Sequence, residues 1–99
     1  MSRTLVRYKV KPEQAAFNEE LVRRVFEELQ RTAPVGLRYA TFVLEDGGSF
    51  VHIASVETGD DHNPLTGVAA FRAFQEGIDD RCDELPVAAG LWEVGSYGF

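Results

Sequence analysis

An α+β fold with the element order β-α-β-β-α-β is what this sequence predicts, and three observations carry it. A short alternating run opens the chain, a broad apolar stripe at helical spacing follows it, and two β-branched and aromatic runs are joined by Asp46-Gly47-Gly48. Residues 3–10, Arg-Thr-Leu-Val-Arg-Tyr-Lys-Val, send Thr4, Val6, Tyr8 and Val10 one way and Leu5, Arg7 and Lys9 the other, which is the period of a strand. Pro12 suits the first turn of a helix, where its missing N–H costs nothing, and Glu13 sits beside the positive end of the helix dipole. The helix is expected to run to about Arg31. Phe17, Leu21, Val22, Val25, Phe26 and Leu29 form its apolar stripe, and the pairs Glu19–Arg23, Glu20–Arg24 and Glu27–Arg31 line its wet face. Pro34 and Gly36 end it.

Residues 37–45 and 49–57 read as the second and third strands, because Asp-Gly between two such runs is a strong hairpin signal. The polar stretch from Thr58 to Leu65 contains Gly59 and Pro64 and is expected to be a loop. A second helix is expected from about Leu65 or Val68 to Cys82, with Phe71, Phe74 and Ile78 on one face, and Gly77 weakening it slightly. After a break at Leu85-Pro86, residues 91–99, Leu-Trp-Glu-Val-Gly-Ser-Tyr-Gly-Phe, read as the last strand. This order is the ferredoxin-like one: two right-handed crossovers lay both helices on one face of a four-stranded antiparallel sheet with strand order 4-1-3-2. Both faces of the strands carry apolar residues. Leu37, Tyr39 and Val43 oppose Ala40, Phe42 and Leu44, while Phe50, Ala54 and Val56 oppose Val51 and Ile53. The face without helices therefore needs a cover, and a homodimer through that open face is expected.

Length and charge narrow the function. Ninety-nine residues with 44% hydrophobic content make one core, so a single domain over 1–99 is expected and a multidomain enzyme is excluded. The net charge is −6, and residues 50–99 hold nine of the 16 acidic residues but only two of the ten Lys and Arg. An acidic half repels phosphate, so neither nucleic acid nor an anionic membrane is an expected partner. The single cysteine, Cys82, cannot pair within the chain, and the N-terminal charges interrupt any apolar core of a signal peptide. A cytoplasmic location is expected on those grounds.

The stretch Val6-Arg-Tyr-Lys-Val-Lys-Pro-Glu running into Phe17-Asn-Glu-Glu-Leu, with the aromatic second helix Ala70-Phe-Arg-Ala-Phe, resembles the antibiotic-biosynthesis-monooxygenase-like branch of the dimeric α/β-barrel superfamily. The resemblance covers essentially the whole chain. It implies ferredoxin-like subunits paired through their sheets. It also implies cofactor-independent oxygenation of an aromatic or quinol-type molecule in a cavity between sheet and helices, where polar groups stabilise a phenolate whose ring carbon reacts with dioxygen. Haem-degrading members of that fold offer an Asn on the first strand, a pocket Trp and a helical His ligand. This chain has Arg7 and Tyr8 on the first strand, no His in the second helix, and its only Trp, Trp92, on the expected last strand, which disfavours haem. No cofactor is expected. The alternative is a non-catalytic dimeric ligand-binding or stress-related domain with the same cavity.

His52, mid-strand between Val51 and Ile53, is the candidate acid, base or oxyanion partner, or else a hydrogen-bonded core histidine. Strand three lies between strands one and two in the expected order, so His52 can reach Tyr8 or Arg7 on one side and Arg38 or Tyr39 on the other. Arg38 is a candidate catalytic residue holding an anionic oxygen, or else a salt-bridge partner. Asn18, Tyr8, Tyr39 and Trp92 are candidate substrate contacts, with packing or solvation as the ordinary alternatives. Asp60, Asp61 and His62 are metal-ligand types in a solvated loop, but two His and one Cys do not make a closed zinc set, and no metal is expected. Cys82 is flanked by Asp79, Asp80 and Asp83, which argues against a thiolate nucleophile.

Overall fold

A computed structural model describes residues 2–60 and 62–99. Strands β1 (Ser2–Val10), β2 (Leu37–Val43), β3 (Ser49–Val56) and β4 (Cys82–Gly90) form one sheet in the order β2-β3-β1-β4, antiparallel throughout. Helices α1 (Ala15–Thr32) and α2 (Ala69–Gln75) cross it, and a single turn, α3 (Ile78–Arg81), leads into β4. This is the ferredoxin-like arrangement and strand order the sequence predicts.

Local chemistry explains the boundaries. Pro12 opens a 3-10 turn, Pro12–Gln14, that feeds α1, whose buried residues Leu21, Val22 and Val25 fall on the expected stripe. The β2–β3 hairpin is fixed by Asp46, whose Oδ1 accepts from the Gly48 and Ser49 amides at 3.0 and 2.8 Å, while Gly47 takes φ 75°. The N-terminus of α2 is capped from α1: the Glu28 carboxylate accepts from the amides of Ala69 and Ala70 at 3.1 and 2.9 Å. Tyr8, Val10, Val25, Phe50, Val68 and Phe74 meet in the buried core between sheet and helices.

Two expectations about the C-terminal third are corrected. The second helix does not reach Cys82, because Gly77 adopts φ 73° and turns the chain before the short α3. The last strand is residues 82–90 and not 91–99. Pro86 was expected to break the chain, yet β4 is an edge strand whose pairing with β1 shifts register between Arg7–Val87 and Lys9–Glu84, and a proline there need not donate to the ladder. Residues 91–99 follow the strand in the open: Trp92, Val94, Tyr97 and Phe99 are exposed, and the segment is tied by the Leu91 amide to the Arg3 carbonyl at 2.9 Å and by Glu93 to Arg3 at 2.9 Å.

On the sheet face turned from the helices, register aligns Ala40, Ile53, Leu5 and Ala89 in one row and Phe42, Val51, Arg7 and Val87 in the next. Phe42 is 56% and Val87 69% exposed. Among the described residues, no helix is long and apolar enough to cross a membrane.

Candidate functional site

The register resolves which neighbours His52 meets. His52 stands opposite Val6 on β1 and Thr41 on β2, and alternation turns Tyr8, Tyr39 and Thr41 to the same side, beneath the helices. Its Nε2 lies 2.7 Å from the Tyr8 hydroxyl, and its Nδ1 lies 2.5 Å from the Tyr39 hydroxyl and 3.1 Å from Thr41 Oγ1. The chain of contacts continues into the helices. Asn18, on the first full turns of α1 and wholly buried, donates from Nδ2 to the Tyr8 oxygen at 2.9 Å. Arg81, on α3, donates from Nε to Asn18 Oδ1 at 3.2 Å, and from its two terminal nitrogens to the carbonyls of Glu76 and Phe74 at 2.9 and 2.6 Å.

Apolar rings surround this polar chain. Phe50 stacks on Tyr8 with ring centroids 5.5 Å apart, Phe74 lies 5.1 Å from the His52 ring, and Phe26 stacks on Tyr39 at 5.3 Å. Burial therefore disfavours the charged form of each titratable member of the chain. It pushes the His52 imidazole down to about 4, keeping the ring neutral at neutral pH, and raises the Tyr39 phenol to about 12 and the Tyr8 phenol further still. Burial lowers the Arg81 guanidinium too, and among the described residues no carboxylate pairs with this cation. Two carbonyls of the α2 C-terminal end and the faces of Phe17 and Phe74, 5.9 and 5.5 Å from its guanidinium carbon, take the place of a counter-ion.

A cleft of about 270 Å³ opens between the C-terminal half of α1 and the start of β2, walled by Phe26, Leu29, Gln30, Ala33, Pro34 and Leu37. Tyr39 is the one member of the polar chain that lines it. His52, 5% exposed, lines neither this cleft nor the larger hollow of about 430 Å³, which is walled by Arg7, Tyr8, Lys9, Glu84, Leu85 and Val87.

Of the six residues expected to build the site, four meet: His52, Tyr8, Tyr39 and Asn18. Arg38 does not join them. It pairs across from Ser55, faces the open side of the sheet and is exposed. Trp92 does not either, since it lies beyond β4 and is 93% exposed. Arg81 and Thr41 were missed. Thr41 had a readable signal, since it shares the alternation of Leu37, Tyr39 and Val43. Arg81 had none, because the helix expected to carry it breaks at Gly77 and swings it inward. Cys82 opens β4 as a buried thiol raised by burial and by Asp79 and Asp83. Asp61 lies outside the described residues, and among the described ones no three His, Cys, Asp or Glu side chains group as metal ligands.

A ferredoxin-like sheet and helix pair with this topology is the fold of solved antibiotic biosynthesis monooxygenases. One such structure superposes with TM-score 0.76 at 21% identity, covering 96% of this chain and all of the other. A variant of SnoaB from Streptomyces nogalater, named a cofactor-independent oxygenase, matches with TM-score 0.69 at 15% identity over 99% of this chain and 97% of its own. A Nitrosomonas europaea protein of unknown function matches with TM-score 0.73 at 11% identity, covering 97% of this chain and 91% of its own. At these identities the likeness establishes the fold and leaves the chemistry to the residues. No family model matches the sequence, and no curated protein does.

Proposed function

We propose that the chain is a small monooxygenase-like protein that works without a cofactor on an aromatic, quinol-type molecule taken into the cleft beside α1. The supporting observation is that the cleft and the buried polar chain share one residue, Tyr39. The side chains of Phe26, Leu29, Pro34 and Leu37 suit an aromatic ring, and in this reading the Tyr39 hydroxyl gives it one oriented polar contact. His52, neutral and enclosed, acts in this reading through Tyr39 as a hydrogen-bond partner and not as a free base. A phenolate held there places negative charge on a ring carbon, which reacts with dioxygen. One oxygen stays on that carbon and the other leaves as water with the two hydrogens the substrate gives up. Asn18 and Tyr8 hold His52 in place. The subunit is proposed to work as a homodimer closed through the open sheet face, where Arg38 would meet the second copy.

Oxygen uptake with a panel of hydroquinones tests the reading. Turnover is expected to fall at least about tenfold in both Tyr39→Phe and His52→Ala while the fold and its association survive. Turnover unchanged in both removes the polar chain from the reaction. The enclosure of His52 among Phe50, Phe74 and Tyr8 favours a second reading, a non-catalytic ligand-binding domain. Calorimetric binding of a hydroquinone without any oxygen uptake would select it.

A further inference from the structure

The buried chain from Arg81 to Tyr39 has a direction, fixed at one end by a side chain that can only donate. Arg81 Nε–H faces Asn18 Oδ1, so the amide oxygen is turned to the guanidinium and the amide nitrogen to Tyr8. The Tyr8 oxygen accepts from Asn18 and has one proton of its own to place. Tyr8 is 2% exposed, and its other polar partner is His52 Nε2 at 2.7 Å. If Nε2 carried hydrogen, Tyr8 would face two donors and its own proton would be buried without an acceptor, an arrangement native interiors avoid. Nε2 therefore accepts. A neutral imidazole has one ring proton, which then sits on Nδ1, aimed at the Tyr39 oxygen at 2.5 Å with Thr41 Oγ1 at 3.1 Å.

We propose that Asn18, held by Arg81, is a positioning residue that selects the Nδ1–H tautomer of His52. The Tyr39 oxygen is thereby made an acceptor toward His52, and the Tyr39 hydroxyl proton is left to donate. The site then favours ligands that present an acceptor oxygen, a phenolate or a quinone carbonyl, over ligands that need an acceptor from the protein. That preference rests on the cleft being the ligand site; the tautomer does not.

Long-range proton–nitrogen correlation spectra of uniformly nitrogen-15-labelled protein at neutral pH read the tautomer without any turnover. The chain has only two histidines, and His62 is exposed, so the His52 ring is assignable. The wild-type protein is expected to show a protonated Nδ1 and a bare Nε2. In Asn18→Asp the carboxylate, ionised beside Arg81, can only accept, so Tyr8 gives it the proton and takes one from Nε2; the spectrum inverts. In Arg81→Met the amide is free to turn, and both tautomers are expected. A protonated Nε2 in the wild-type protein overturns the proposal. So does a folded Asn18→Asp protein that keeps Nδ1–H, and a wild-type pattern in Arg81→Met removes Arg81 from it. Should either variant fail to fold, the other and the wild-type spectrum still decide. Retained tautomers with no hydroquinone binding would refute the cleft reading alone.

Discussion

Lowering the pH from about 7 to about 5 should destabilise this protein through His52 alone among its buried groups. An unfolded histidine titrates near 6.5, whereas burial pushes His52 down to about 4 in the folded chain. Between those values the unfolded state binds a proton that the folded state refuses. The stabilisation is thus fully present above about 6.5 and is lost progressively as the pH falls toward about 4. Integrating the two titrations from about pH 7 to about pH 5 gives a loss of about 2 kcal/mol. Asp46, whose carboxyl is pulled down to about 2 by hydrogen bonds from Ser49 and Gly48, stays ionised in the folded state throughout this range, and its contribution is lost only at more acid pH. Urea unfolding followed by circular dichroism measures the effect at a fixed protein concentration. Fluorescence is a poor reporter, because the single tryptophan, Trp92, is already in solvent. The midpoint should drop by about 0.7–2 M between the two pH values, given slopes of about 1–3 kcal/mol/M in urea. A His52→Gln protein should lose most of that drop. Identical midpoints for the wild-type protein at the two pH values would refute the claim that the enclosed imidazole is neutral.

Two further outcomes follow from the same contacts. Tyr8→Phe strands Asn18 Nδ2 and His52 Nε2 in the interior at a cost of about 1–3 kcal/mol each, so the thermal midpoint should fall by at least about 5 °C; an unchanged midpoint would mean that Tyr8 is not the junction of the chain. Phe42→Glu removes the exposed ring at the β2 end of the row Phe42, Val51, Arg7, Val87 on the open face and puts a charge there, and sedimentation should show a dimer for the wild-type protein and a monomer for the variant. A monomeric wild-type protein at micromolar concentration would end the homodimer proposal.

The fold was legible in the sequence where one local rule governed. The α1 stripe and the Asp46-Gly47 hairpin each follow from near-neighbour chemistry, and the sheet order follows from handed crossovers. The C-terminal third was not legible, because two local rules were outweighed there. Gly77 reads as a mild helix penalty but adopts a left-handed conformation that ends α2, and Pro86 reads as a strand breaker but sits on an edge. That slip of one element also misplaced Trp92, which was expected on a strand facing a pocket. The site was half legible for a related reason. Alternation grouped Tyr8 with Val6, Tyr39 with Leu37 and His52 with Phe50 within their own strands, but whether His52 met Tyr8 or Arg7, and Tyr39 or Arg38, depended on a register that only the paired strands reveal. Arg81 depended on the broken helix, and nothing in its neighbourhood, Asp79, Asp80 and Cys82, marks it as buried.

Stability alone does not account for the polar chain. Tyr8, Asn18, His52 and Arg81 occupy the centre of the core, where apolar side chains of similar volume are often as stable or more so than a satisfied polar network. The network is complete: among the described residues no buried side-chain nitrogen or oxygen lacks a partner. Completeness makes the arrangement tolerable and also brittle, since each member has a defined donor or acceptor role and the loss of one strands its neighbours. Such a chain gives a fixed orientation to its last member, and the last member here is Tyr39, the residue that reaches the cleft. In the proposed reading, a Tyr39 of fixed orientation beside the cleft is what the buried interior supplies to the ligand. The guanidinium of Arg81, held by the carbonyls that end α2, sets its direction from the far end.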